Sequence, residues 1–124
     1  MLIDKIQKTL VLGASLKADR YSNLAVRKLI EKVIPTEAFG HVAGFINEVE
    51  IKTNFDDFQN IHTVTLYLNP KRQGEYYDAI IKLKPKRVIF NPGTENPEFY
   101  RILKNKGIEV EIACTLVLLA TNQY

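Results

Sequence analysis

A glycine, a hydroxyl and two cations lie close together near the start of the chain, at Gly13, Ser15, Lys17 and Arg20. They follow Thr9 to Leu12, an unbroken apolar or β-branched run that reads as a central parallel strand covered on both faces. Gly13 permits a tight turn and a close backbone approach, and Ala14 and Ser15 keep that turn small. Ser22 is the candidate cap of a helix running from Asn23. A strand that ends against a helix N-terminus presents unpaired N–H groups and the positive end of a dipole. Together these suit an anion, most often a phosphate. The Ser15 hydroxyl could donate to it, and Lys17 and Arg20 could neutralise a diphosphate. Gly-x-Gly-x-x-Gly is absent, because Ala14-Ser15-Leu16 follow the single glycine. Taken alone, the motif fits an anion site or a plain turn.

Acid–base and nucleophilic chemistry has few candidates. His62 opens a strand and reads as structural. His41 follows Phe39-Gly40 and could touch a phosphate or an adenine, or be an exposed loop residue. Cys114 reads first as a packing thiol, with a nucleophile as the competing assignment. Ser15 is not in Gly-x-Ser-x-Gly, and no Cys or His spacing suggests a metal site. Glu37 falls inside a strand instead of at its ligand end. Phe39 and Gly40, at that end, suit an adenine contact better than a bond to a ribose hydroxyl.

The 124 residues make one domain with room for a core, and the net charge of +3 is modest. The densest basic run, Lys84-Pro85-Lys86-Arg87, reads as a solvated connection into a strand. No basic stripe interleaved with aromatics supports nucleic-acid binding. The start, Met1-Leu-Ile-Asp-Lys5, is charged and too short for a secretory leader. The longest apolar run, Leu116 to Ala120, is far too short to span a membrane. The single cysteine excludes an intramolecular disulfide framework and fits a reducing cytoplasm.

Strands and helices alternate along the chain. Tyr21, Ala25, Val26, Leu29, Ile30 and Val33 give the first helix an apolar face, and Pro35 forbids its continuation. Ile34 to Phe39 is the second strand. Gly40 to Gly44 is a turn-rich loop, and Glu48 to Lys52 is a hairpin arm or edge strand. Asn54 to Phe58 is a turn packed by its two phenylalanines. His62 to Leu68 is the third main strand. Asn69-Pro70 caps and starts a helix to Leu83. Arg87 to Phe90 is the fourth strand. Asn96-Pro97 starts another helix, which Gly107 stops. Ile108 to Ile112 alternates like an edge strand, and Ala113 to Thr121 favours a short helix. About five strands with intervening helices imply a three-layer α/β domain, a Rossmann-like open parallel sheet of order 3-2-1-4-5. Its ligand crevice would open between strands 1 and 4.

The ordered set Val11-Leu-Gly-Ala-Ser15, Arg20-Tyr-Ser22, Phe39-Gly40, Thr63 to Gln73, Val88 to Asn96 and Ala113 to Leu119 covers nearly the whole chain. It resembles the Rossmann-type CoA-binding family related to the nucleotide-binding domain of the succinyl-CoA synthetase alpha subunit. The later segments look like a small bacterial branch of it. The resemblance implies coenzyme A, or an acyl-CoA, as the ligand. Its pyrophosphate would sit over Gly13, Ala14, Ser15 and Leu16, with Lys17 and Arg20 nearby. Adenine and ribose would lie near Phe39, Gly40 and His41. The pantetheine arm would pass Leu68, Asn69 and Pro70 towards Asn91, Pro92, Gly93 and Thr94. The synthetases' phosphohistidine and ATP-grasp parts have no counterpart in this sequence. The resemblance therefore implies binding, not ligase catalysis. A phosphate-suited turn in a crevice without an acid–base pair makes a non-catalytic binding module, regulatory or a carrier, the leading reading. A small enzyme acting on a nucleotide or CoA thioester through Ser15 or Cys114, and an interaction domain that has lost its ligand, are the alternatives. A homo-oligomer or a protein partner stays open.

Overall fold

Thr9–Leu12 is a strand (β1) with all four residues buried in the computed structural model, which describes residues 7–124. It lies near the middle of a seven-stranded sheet of order β3-β4-β2-β1-β5-β6-β7. The other strands are β2 (Thr36–Phe39), β3 (Gly44–Ile46), β4 (Val49–Lys52), β5 (Thr63–Leu66), β6 (Arg87–Phe90) and β7 (Glu109–Ile112). All neighbours pair parallel except β3, which runs antiparallel to β4. The helices are α1 (Tyr21–Glu31), α2 (Pro70–Gln73), α3 (Tyr77–Leu83), α4 (Pro97–Asn105) and α5 (Thr115–Ala120).

Period-two alternation divides the buried residues between two faces. Leu10, Leu12, Val64, Leu66, Val88 and Phe90 pack with Ile80 of α3 and with Phe99 and Leu103 of α4. Val11, Ala38 and Ile51 pack on the other face with Val26 and Leu29 of α1 and Leu119 of α5. Phe90 meets Phe99 and Tyr100 edge to face, at 5.9 and 4.7 Å between ring centroids. Such pairs add about 0.5–1.5 kcal/mol beyond their buried area. β7 closes one edge, as expected, but its exposure does not alternate: Glu109 and Ile112 are exposed, and Glu111 is half-buried beside Arg87.

The expected order 3-2-1-4-5 is corrected. Thr63–Leu66, third in the sequence count, lies beside β1 on the side away from β2. The place beside β2 belongs to β4, through Ala38↔Ile51 and Phe39↔Lys52. Gly44–Ile46 turns that segment into a hairpin, helped by Asn47 at φ 52°. A strand this short, with an exposed Phe45, leaves no alternation to read. The reversal of strand progression therefore falls between β1 and β5, not beside Arg87–Phe90.

One capping expectation and two element bounds also change. α1 begins at Tyr21 with Arg20 in the cap position and no side-chain cap, while Ser22 is buried in the first turn. The helix ends before Pro35 is reached. Val33 N–H donates to Ile30 O, and Ile34 N–H to Leu29 O. The second strand then starts at Thr36 instead of Ile34. The predicted helix from Pro70 to Leu83 is interrupted by a 3₁₀ turn, Gly74–Tyr76. Asn69 and Asn96 do cap as expected, accepting from Arg72 N–H and Phe99 N–H. The last helix is also as expected, at Thr115–Ala120.

Candidate functional site

The loops after β1, β2 and β5 converge at the strand reversal and enclose a cleft of ≈ 390 Å³. Gly13, Ala14, Ser15, Leu16, Lys17 and Arg20 form one wall, His41 and Val42 a second, and Tyr67, Leu68 and Arg72 a third. This is where ligands bind in open parallel sheets, beyond the carboxyl ends of the strands where their order reverses.

The first loop is built from backbone contacts. Gly13 adopts φ +98°, a conformation that disfavours a side chain. The N–H groups of Gly13 and Ala14 both donate to Phe39 O at 2.9 Å, so neither is free for an anion. The next two amides, of Ser15 and Leu16, have no partner among the described residues. They are the donors an anion would meet. Ser15 Oγ accepts from Lys17 N–H at 3.1 Å, which rounds the turn. Helix α1 fastens the loop from behind. Asn23 Nδ2 donates to Ser15 O at 2.9 Å, and Arg27 donates to both Asn23 Oδ1 and Ala18 O at 2.8 Å. Asn23 is buried, which fixes the loop against the helix. A preformed loop of this kind spares a ligand the entropic cost of ordering it.

Charge in the cleft has one sign. Lys17, Arg20 and Arg72 line it, and no Asp or Glu does. None of these cations is in an ion pair among the described residues. Exposed Leu16 and Val42 add apolar surface beside them. Positive charge, free amides and aliphatic walls together suit a ligand with phosphates and an apolar or planar part.

Phe39 and Gly40 sit next to the cleft. Together with Leu12, Gly13, His41, Leu68 and Tyr76 they line a narrow apolar hollow. The Phe39 ring is buried, held edge-on by Phe55 at 4.6 Å and Tyr76 at 5.3 Å. It shapes the floor from below. Gly40 is required by packing, since a Cβ there would lie 2.3 Å from Ala14 O.

The structure does not bring Asn91, Pro92, Gly93 and Thr94 into the cleft lining. Asn91 is buried and fully engaged. Its Nδ2 donates to Thr65 Oγ1 and Leu66 O, and its Oδ1 accepts from Thr115 N–H. Thr94 Oγ1 donates to Asn91 O. Pro92 and Gly93 are exposed. Asn69 and Pro70 start α2 and thereby carry Arg72 to the cleft. Beneath them, buried Gln73 donates to Leu68 O and Thr94 O, and Asn96 Nδ2 donates to Gln73 Oε1. This network sets the heights of the β5 and β6 loops relative to one another. Glu37 lies inside β2, between Lys8 and Lys52 at 2.7 and 3.5 Å.

The sequence reading missed Val42, Tyr67, Arg72 and Tyr76. Tyr67 closes the cleft on the α1 face. Its hydroxyl is buried and unpaired. Thr65 and Thr115 are near, but they bond each other at 2.7 Å, and Thr65 also accepts from Asn91. Burial, with Cys114 adding to it, pushes the Tyr67 phenol well above its ordinary range. Cys114 itself is half-buried at the N-cap of α5 and is not among the cleft residues. Among the described residues there is no cluster of metal-ligating side chains, and no helix is long and apolar enough to cross a membrane.

The chain is similar to several solved structures. A crystal structure of an uncharacterized protein shares 42% identity, covers 96% of this chain and 98% of its own, and superposes with a TM-score of 0.93. A hypothetical protein from Pyrococcus horikoshii is 24% identical over 94% of this chain and 83% of its own, with a TM-score of 0.83. A protein from Thermus thermophilus is 20% identical over 98% of this chain and 93% of its own, also with a TM-score of 0.83. The last two show the fold alone. No curated protein matches the chain. A family model described as a CoA binding domain matches residues 7–120, and this chain belongs to that family.

Proposed function

We propose that the cleft binds coenzyme A or an acyl-CoA and that the protein is a non-catalytic binding module, regulatory or a carrier. The observation that carries this reading is the cleft's one-sided charge. Lys17, Arg20 and Arg72 surround two unpartnered amides with no acid among the lining residues. The pyrophosphate is assigned to Ser15 N–H and Leu16 N–H, with the three cations around it. The apolar surface of Leu16 and Val42, beside His41 in the cleft lining, suits the adenine, while the hollow over Phe39 and Gly40 is too narrow to take a ring. The arm then leaves past Leu68. The positions of the two nucleophile candidates support the non-catalytic reading. Ser15 Oγ is held by Lys17 N–H, and Cys114 lies outside the lining.

Calorimetric titration with CoA and with dephospho-CoA tests the reading. CoA should bind with measurable heat and raise the melting temperature. Dephospho-CoA, one phosphate poorer, should bind more weakly. No heat and no thermal shift at millimolar CoA would overturn it.

A further inference from the structure

The end of the sheet opposite the cleft carries two more openings, of opposite charge. The first exists because β2 and β4 pair only at Ala38↔Ile51 and Phe39↔Lys52. Before those pairs the strands splay, leaving a notch of ≈ 510 Å³ between the end of α1 and the start of β4. Glu37, Glu48, Glu50 and Lys52 line it. Lys52 is paired with Glu37, which leaves Glu48 and Glu50 outside any ion pair among the described residues and the notch net acidic. Val33 stands on its rim, 88% exposed and at φ +61°. A β-branched residue adopts that conformation only under strain.

The second opening is a cleft of ≈ 450 Å³ where α3 and α4 end and β6 and β7 begin. Lys84, Lys86 and Lys106 surround an apolar floor that includes Ile81 and Ile108, and no acid lines it. None of these lysines is in an ion pair among the described residues. Lysine at a helix C-terminus answers the last carbonyls, but Lys86 lies beyond the end of α3. The cleft offers no aromatic face or arginine fork to a nucleic-acid base.

We propose that a second copy of this chain docks on this end. Glu48 and Glu50 of one copy meet Lys84, Lys86 and Lys106 of the other, and Val33 enters the apolar floor. The two openings lie at the same end of the sheet, on either side of the β1–β5 centre. A two-fold axis perpendicular to the line joining them makes the contact twice and closes the assembly as a dimer. Matching charge sets the register and repels other arrangements.

Light scattering behind size exclusion tests this on the whole chain. The protein should elute at about twice its 14.2 kDa mass in low salt and dissociate as salt rises. The variant Lys84→Glu/Lys86→Glu should be monomeric, and so should Glu48→Lys/Glu50→Lys, each with an unchanged circular dichroism spectrum. Mixing the two variants should restore the dimer mass, because each then supplies the charge the other lacks. A wild-type protein that stays monomeric at millimolar concentration in low salt would overturn the proposal. So would a dimer that survives both charge reversals.

Discussion

A Cβ built on Gly40 would lie 2.3 Å from the carbonyl oxygen of Ala14. The end of β2 and the anion-facing loop are therefore in backbone contact, stitched by the bonds from Gly13 and Ala14 to Phe39 O. No rotamer change relieves the clash, because the obstacle is backbone. Gly40→Ala must push the loop away from β2, which should cost about 1–3 kcal/mol of stability. It should also weaken CoA binding by at least tenfold, about 1.4 kcal/mol. Urea melts and titration of the folded variant check the two effects separately.

Gly13 is constrained for a different reason. Its φ of +98° strains any side chain, and a Cβ there would meet Leu68 Cδ2 and the Tyr67 backbone at 3.1 Å. Gly13→Val should weaken CoA binding at least tenfold while circular dichroism confirms the fold. CoA binding as tight as the parent's would show that the ligand does not use this turn.

The three cations should act mainly through charge. Arg20→Ala and Arg72→Ala should each cost less than Gly13→Val, and their effects should shrink in high salt. Arg72→Ala is the sharper test, because Arg72 comes from α2, on the far wall from the glycine loop. An Arg72→Ala protein with parental affinity at low salt would remove that wall from the site.

Why Arg72 was hidden in the sequence follows from topology. The strand–turn–helix character of Thr9 to Glu31 is local, so Gly13 to Arg20 could be read directly. Arg72 reaches the cleft only because β5 pairs with β1. An order that sends Thr63–Leu66 beyond β2 keeps Leu68, Asn69 and Pro70 at the ligand end of the sheet but gives no reason for Arg72 to face the Gly13 wall. Val49–Lys52 was legible as a hairpin arm or edge strand, but its partner Gly44–Ile46 is too short to show a period, and the hairpin's place beside β2 rests on pairs distant in sequence. The same error set the loop after β6 at the switch point, which is why Asn91 to Thr94 read as ligand contacts. Gly40 could be read as a ligand-end residue, but the reason for glycine, its approach to Ala14 O, joins segments far apart in sequence.

Asn91 should therefore behave as a structural tie. Asn91→Ala strips the bonds to Thr65, Leu66 and Thr115, leaving buried polar groups unpaired. That should cost about 1–3 kcal/mol or more. CoA affinity of the folded variant should stay within about twofold of the parent. A large affinity loss without a stability loss would return Asn91 to the ligand.

Tyr67 and Tyr124 make the fold sensitive to alkali. Burial pushes both phenols above the ordinary range, and Cys114 adds to the effect at Tyr67. In the unfolded chain a phenol ionises near pH ~10. Above that pH the folded state keeps protons that the unfolded chain has released. Stability is then full below the unfolded pKa and falls as pH rises through and beyond it. The two hydroxyls differ at neutral pH. Tyr124 shares a hydrogen bond with Thr9, and its ring lies 4.4 Å from the Arg87 guanidinium. Tyr124→Phe should therefore destabilise by about 1 kcal/mol. The Tyr67 hydroxyl has no partner. Tyr67→Phe should be neutral or stabilising at pH 7, because it removes a buried polar group that bonds to nothing. It should also flatten the loss of stability above pH ~10. Chemical denaturation of wild type and both variants, from neutral pH up to the onset of alkaline unfolding, checks all three expectations. If Tyr67→Phe destabilises at neutral pH as much as Tyr124→Phe, the hydroxyl has a partner and the alkaline argument fails at this residue.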